Sequence, residues 1–188
     1  MVSVSHESAA AYEIKRSKFL SFLLPFDAYE ARLETLRSLH PKARHFVSAS
    51  RRINEYDQIE EHFSDDGEPK GVAGMPTLKV LQGADIVNAA IITVRYFGGI
   101  KLGTGGMARA YADAANLAVL AAGTTPYIKP FRSELPIAYN ELSRLEHACS
   151  GLDDVTIEAC RYETFGVTAV LCGRESSVQM LLEMFQTP

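Results

Sequence analysis

The pattern of apolar and polar positions divides the chain into strands and helices of ordinary length. Glu13 to Phe26 (EIKRSKFLSFLLPF) begins as a charged alternation and becomes apolar, which predicts one strand ended by Pro25. Asp27 then reads as the N-cap of a helix from Ala28 to Leu39, with Ala28, Ala31, Leu33, Leu36 and Leu39 as its apolar stripe and Pro41 beyond its end. Arg44 to Arg51 predicts a second strand, and the polar stretch Arg52 to His62 reads as strand or loop. Pro76 to Gly83 predicts a short helix, Asp85 to Val94 a buried strand, and Met107 to Ala122 an alanine-rich helix closed by Gly123. Thr124 to Phe131 reads as an edge strand because it contains Pro126 and Pro130. The rest predicts a strand (Ser133 to Ala138), a helix capped by Asn140 (Glu141 to Cys149), a hairpin (Val155 to Tyr162 with Val167 to Cys172) and a last helix (Ser176 to Phe185).

The order β-α-β-β-α in the tail is one strand short of a ferredoxin-like βαββαβ unit. Composition supports a boundary near residue 131. Residues 1–131 hold 15 Lys/Arg against 14 Asp/Glu, and residues 132–188 hold 4 against 9. The expected organisation is therefore an α+β chain of two domains, 1–131 and 132–188. Neither part is a bulk polycation, so nucleic-acid binding requires a local basic patch. Asn116 interrupts the longest apolar stretch, Ala114 to Ala122, which is far too short for a membrane span. The first residues carry no signal-peptide pattern. Three cysteines without a CxxC form neither a disulfide framework nor a zinc knuckle, and they read as small core hydrophobes. The expected compartment is the cytoplasm.

Nine of the 13 glycines lie between Gly67 and Gly106. Arg95 to Gly106 (RYFGGIKLGTGG) joins the buried strand to the alanine-rich helix. Free N–H groups at a helix start favour an anion, and glycines allow a phosphate to approach the backbone. Arg95, Lys101 and Arg109, placed on the first helical turn, supply charge, with Gly98, Gly99, Gly103, Gly105 and Gly106 as the permissive positions and Lys70 as a further cation. The competing reading is that these glycines only permit tight turns and close packing. The loop matches neither a Walker A motif nor GxGxxG. Asp65, Asp66 and Glu68 form an acidic stretch that fits ordinary turn chemistry better than a magnesium cage, with pairing of Glu68 or Asp66 to Arg95 or Arg109 as a further structural alternative. His40, His45 and His62 read as surface or packing residues. Phe97 reads as core, although Tyr96, Phe97 and Tyr111 are candidates for stacking on bases. There is no GxSxG elbow, no cofactor is expected, and the metal question stays open.

The blocks EIKRSKF (Glu13 to Phe19), SDDGEPKGVAGMP (Ser64 to Pro76) and RYFGGIKLGTGGMARAY (Arg95 to Tyr111) resemble the Impact/YigZ family over residues 10–125. Val72 departs from the threonine usual in that family's GTAG. The tail from Arg132 is similar to the smaller C-terminal domain of bacterial members. The resemblance implies a first domain like the second domain of small-subunit ribosomal protein five and a ferredoxin-like second domain, both folds of the translation machinery. It also implies a link to translational control, because eukaryotic members bind the activator of a starvation-sensing kinase. The leading expectation is a non-enzymatic, translation-associated regulator that contacts RNA or the ribosome through the glycine-rich basic loop, without DNA sequence specificity or a membrane. The alternatives are a protein or enzyme acting on a small phosphorylated ligand or nucleotide, and a protein-interaction module.

Overall fold

The structure is a computed structural model that describes residues 1–186. It divides into two compact units, Met1–Tyr127 and the segment beginning at Ile128.

The first unit is built on five antiparallel strands. They are β2 (Ser8–Ile14), β3 (Ser17–Pro25), β4 (His45–Ile53), β5 (Ile59–Ser64) and β6 (Ala89–Tyr96), in the order β2-β3-β6-β4-β5. β6 lies in the middle and is buried from Ala89 to Arg95, because both faces of the sheet are covered. One face carries α1 (Tyr29–Leu39), with Leu24, Leu36, Phe46, Ile92 and Val94 packed together. The other carries α2 (Gly74–Gly83) and α3 (Gly103–Leu120). The buried side of α3 is Met107, Ala110, Tyr111, Ala114, Ala115 and Ala118, a helical stripe of mostly small residues that lets the helix lie close to the sheet. A two-stranded sheet pairs β1 (Val2–Val4) with β7 (Thr124–Pro126).

Several boundaries differ from the sequence expectation. The single strand over 13–26 is two strands, β2 and β3, joined at Lys15 and Arg16, which adopt φ of 47° and 63°. Two left-handed residues make a tight hairpin turn, and a Lys-Arg pair carries no glycine or asparagine to announce it. β6 starts four residues later than expected, since Asp85 and Asn88 both have positive φ (51° and 52°) and break the extended run. Asp27 does not cap α1. It lies in a short 3₁₀ turn, and the N-cap is Ala28 without a side-chain bond. The expected edge strand over 124–131 is cut to β7, consistent with its two prolines.

The second unit contains β8 (Phe131–Ile137), α4 (Leu142–Ser150), β9 (Val155–Glu163), β10 (Gly166–Gly173) and α5 (Glu175–Gln186). Its sheet order is β8-β10-β9, with β10 antiparallel to both neighbours. Asn140 does not cap α4, because it sits inside a 3₁₀ turn and Glu141 occupies the cap position. Leu135, Leu145, Val167, Leu171, Val178 and Leu181 centre the core. Cys149 belongs to this core, and burial pushes its thiol above the ordinary range.

Candidate functional site

Arg95 occupies the last buried position of β6, on the face that α3 covers. Its side chain is 7% exposed, and the guanidinium cannot stay charged there without a partner. Glu68, 4% exposed, provides it: Arg95 Nη1 donates to Glu68 Oε1. The same oxygen accepts the hydroxyl of Tyr111 at 2.8 Å. Burial, followed by the Glu68 charge and the hydrogen bond to it, raises the Tyr111 phenol far above its usual range, so Tyr111 acts as a permanent donor. Arg95 Nη1 also lies 3.2 Å from Met107 Sδ, and its guanidinium sits 5.5 Å from the Phe19 ring centroid. Arg95 Nε is buried with no hydrogen-bond partner, the one such side-chain nitrogen or oxygen among the described residues.

Arg95 is therefore not a phosphate-facing cation of the loop, as its sequence position suggested. The pairing of Glu68 with Arg95 is the structural alternative that the sequence also raised. Arg109 differs as well. α3 begins at Gly103, four residues before the expected start, which places Arg109 on the second turn. It is exposed, with Nη1 4.0 Å from where a Cβ on Gly105 would lie. Phe97 is not core: it is 57% exposed, with the Arg95 guanidinium 5.7 Å from its ring centroid. Tyr111 is fully buried, so it cannot stack on a base.

The glycines separate into two groups. A Cβ on Gly98 would sit 2.1 Å from the carbonyl carbon of Arg16, so Gly98 is required by packing against the β2–β3 turn. Gly99 and Gly103 take positive φ, 84° and 72°, with nothing within 4 Å of an added Cβ. Gly105 is open, and Gly106 packs on Leu102.

Each acidic side chain of the turn is committed. Asp65 accepts the backbone N–H groups of Gly71 (2.7 Å), Gly74 (2.8 Å) and Ala73 (3.1 Å). Burial pushes its carboxyl up, but these three donors outweigh burial and hold it below the ordinary value. Asp66, at φ 40°, accepts the Phe46 N–H at 2.6 Å and Arg37 Nη2 at 3.0 Å, tying the turn to β4 and α1. Among the described residues no group of three or more His, Cys, Asp or Glu is arranged to hold a metal ion. Lys70 is exposed on the same loop.

A cleft of about 390 Å³ opens between this loop and the start of α3. Arg44, His45, Lys101, Gly103 and Thr104 line it beside an apolar wall of Pro69, Phe97, Leu102 and Met107, with Glu68 and Arg95 also reaching it. His45 faces the cleft in a fixed orientation. Its Nδ1 lies 2.9 Å from the Asp66 carbonyl, which can only accept, so Nδ1 carries the proton and Nε2 lies 4.0 Å from Glu68 Oε1. Sequence reasoning does not mark Arg44 and His45 as site residues. Their only sequence signal is a cationic pair at the head of an apolar strand, and what brings them to the loop is the pairing of His45 with Arg95 across β4 and β6. His40 is a packing residue, with Nδ1 2.8 Å from the Tyr96 hydroxyl.

Residues 15–119, which contain the acidic turn, the glycine-rich loop and nearly all of α3, match the model of the Impact N-terminal domain. The chain belongs to the IMPACT family. It is 37% identical to the IMPACT family member YigZ of Escherichia coli over 156 residues, 81% of this chain and 76% of that one. An IMPACT family member of Haemophilus influenzae is 35% identical over 140 residues, 73% of this chain and 68% of that one. A crystal structure described as that of a hypothetical protein superimposes with a TM-score of 0.77 at 30% identity, covering 96% of this chain and 88% of that one. For an IMPACT family member, the cleft and its Glu68–Arg95–Tyr111 floor thus lie inside the segment that defines the family. No helix among the described residues is long and apolar enough to cross a membrane.

Proposed function

We propose that this IMPACT family protein is a non-enzymatic, translation-associated factor that contacts RNA or the ribosome through the cleft beside the glycine-rich loop. The observation that carries this is the division of charge in the site. Arg95 is neutralised by Glu68 and shapes the floor, whereas Arg44 and Lys101 are exposed at the cleft beside the open first turn of α3. Two cations without an ion-pair partner among the described residues, beside a helix start, form a seat for a backbone phosphate, which positions a nucleic acid without reading its sequence. Gly99, Gly103 and Gly105 leave room for close approach. Lys70, next to Pro69 in sequence, and Arg109, on the second turn of α3, are further exposed cations.

The translational setting follows from the family resemblance, in which both units belong to folds of the translation machinery. In that reading the first unit is like the second domain of small-subunit ribosomal protein five. The second is ferredoxin-like, a reading supported by the order β8-β10-β9, with no fourth strand in this sheet among the described residues. The expected setting is the cytoplasm. An enzyme acting on a phosphorylated ligand through a magnesium ion has less support, since Asp65, Asp66 and Glu68 are already engaged.

The test is co-sedimentation with ribosomes and with structured RNA across a salt series. The wild type is expected to bind at low salt and to be released as salt rises. Arg44→Ala/Lys101→Ala is expected to bind more weakly and with a shallower dependence on salt. Binding that is unchanged in the double variant overturns the assignment.

A further inference from the structure

We infer that the cleft takes one unstacked nucleotide, its base against Phe97 and its phosphate toward Arg44 and Lys101, so that the protein selects single-stranded over duplex RNA. This rests on the RNA reading above and goes beyond it by naming the form of the ligand.

The cleft has two characters. Phe97, Leu102, Met107 and Pro69 make an apolar wall, whereas Arg44 and Lys101 are exposed cations at its edge. A phosphate-only seat has no use for the apolar wall, and an apolar ligand has no use for the cations. A nucleotide has both parts. The volume of about 390 Å³ suits a ligand of that size and falls within the range of small-molecule sites.

Phe97 supplies the geometry. Its neighbours Arg95 and Tyr96 belong to β6, but Phe97 itself lies beyond the strand end and is more than half exposed. An aromatic ring left in water beside paired and unpaired cations is a stacking platform, because any base has a π face to lay on it. A base inside a duplex shows only its edges and cannot reach that ring, so only an unpaired nucleotide can use both parts of the cleft. Arg95 strengthens the platform from within. Its guanidinium lies 5.7 Å from the Phe97 centroid, within cation–π range of the ring.

The experiment measures binding of the full chain, by fluorescence anisotropy at low salt, to a short labelled single-stranded oligoribonucleotide and to the same sequence as a blunt duplex. AMP serves as a third probe. The wild type is expected to bind the single strand more tightly than the duplex. Phe97→Ala should weaken single-strand binding about tenfold or more while leaving duplex affinity in place, and Phe97→Trp should restore it. Circular dichroism confirms that both variants fold, as substitution of an exposed side chain predicts. RNA binding that ignores Phe97→Ala overturns the stacking inference and spares the RNA reading. No binding to either RNA by the wild type overturns both. AMP bound in a Phe97-dependent way without oligonucleotide binding overturns the polymer in favour of a free nucleotide.

Discussion

His45 on β4 and Arg95 on β6 are direct cross-strand partners, and both turn toward the buried carboxylate of Glu68. Three elements far apart in sequence thus meet at one oxygen, and α3 adds the Tyr111 hydroxyl. The cleft depends on this junction, because the loop carrying Pro69 is held to the sheet through Glu68.

Removing Glu68 should be costly. Glu68→Ala leaves the Arg95 charge buried and unpaired, a loss of about 3–5 kcal/mol. Tyr111→Phe removes one hydrogen bond to a charged acceptor and should cost about 1.5–3 kcal/mol. Urea denaturation at neutral pH measures both. A Glu68→Ala loss within about 0.5 kcal/mol of zero would contradict the role given to the pair.

Gly98 and Gly83 make a matched pair of tests. Gly98→Ala forces a Cβ against the backbone of Arg16 and Ser17, where no side chain can give way, and should cost about 1–3 kcal/mol or more. Gly83→Ala, with nothing within 4 Å and no positive φ, should be neutral or stabilising by about 0.4–1 kcal/mol. Equal effects at the two sites would show that Gly98 is not held by that contact.

The β2–β3 turn offers a gain in stability. Lys15 and Arg16 both occupy left-handed conformations that Asn-Gly adopts at lower cost. Lys15→Asn/Arg16→Gly should therefore stabilise the first unit by up to about 1 kcal/mol, read as a shift of the denaturation midpoint. A destabilised variant would mean that the side chains of Lys15 and Arg16 matter more than the strain.

Asp65 predicts an acid sensitivity. Its carboxyl is held below the ordinary value, so its contribution is complete above the unfolded value of about 3.9 and is lost as pH falls through the folded value. Asp65→Asn should lower stability at neutral pH and flatten the fall in stability on the acid side. Denaturation midpoints collected from neutral pH down to acid check this, and parallel curves for the two proteins would refute it.

Much of this architecture was legible in the residues. The buried run of β6, the alanine stripe of α3 and the hairpin of β9 and β10 were each carried by local periodicity. The misplaced features have specific causes. Glycines at 103, 105 and 106 hid the first turn of α3, because their intrinsic helix propensity is low while the fold holds them there. The Lys15-Arg16 turn was hidden by its chemistry. Sequence points to Arg95 as a ligand cation because its charge is visible there and its burial is not. Sequence does not mark His45, because cross-strand register is a property of the folded sheet. Phe97, expected in the core, lies just past the end of β6, where an apolar side chain no longer has a layer above it.

The most direct test of the central claim is the salt dependence of RNA binding by wild type, Arg44→Ala/Lys101→Ala and Lys79→Ala, whose lysine lines a different depression on α2. If the two cleft cations meet phosphates, the slope of log affinity against log salt falls by about two in the double variant and by no such amount in the control. A double variant with the wild-type slope, or a Lys79→Ala variant that loses as much, would contradict the assignment of the RNA contact to this cleft.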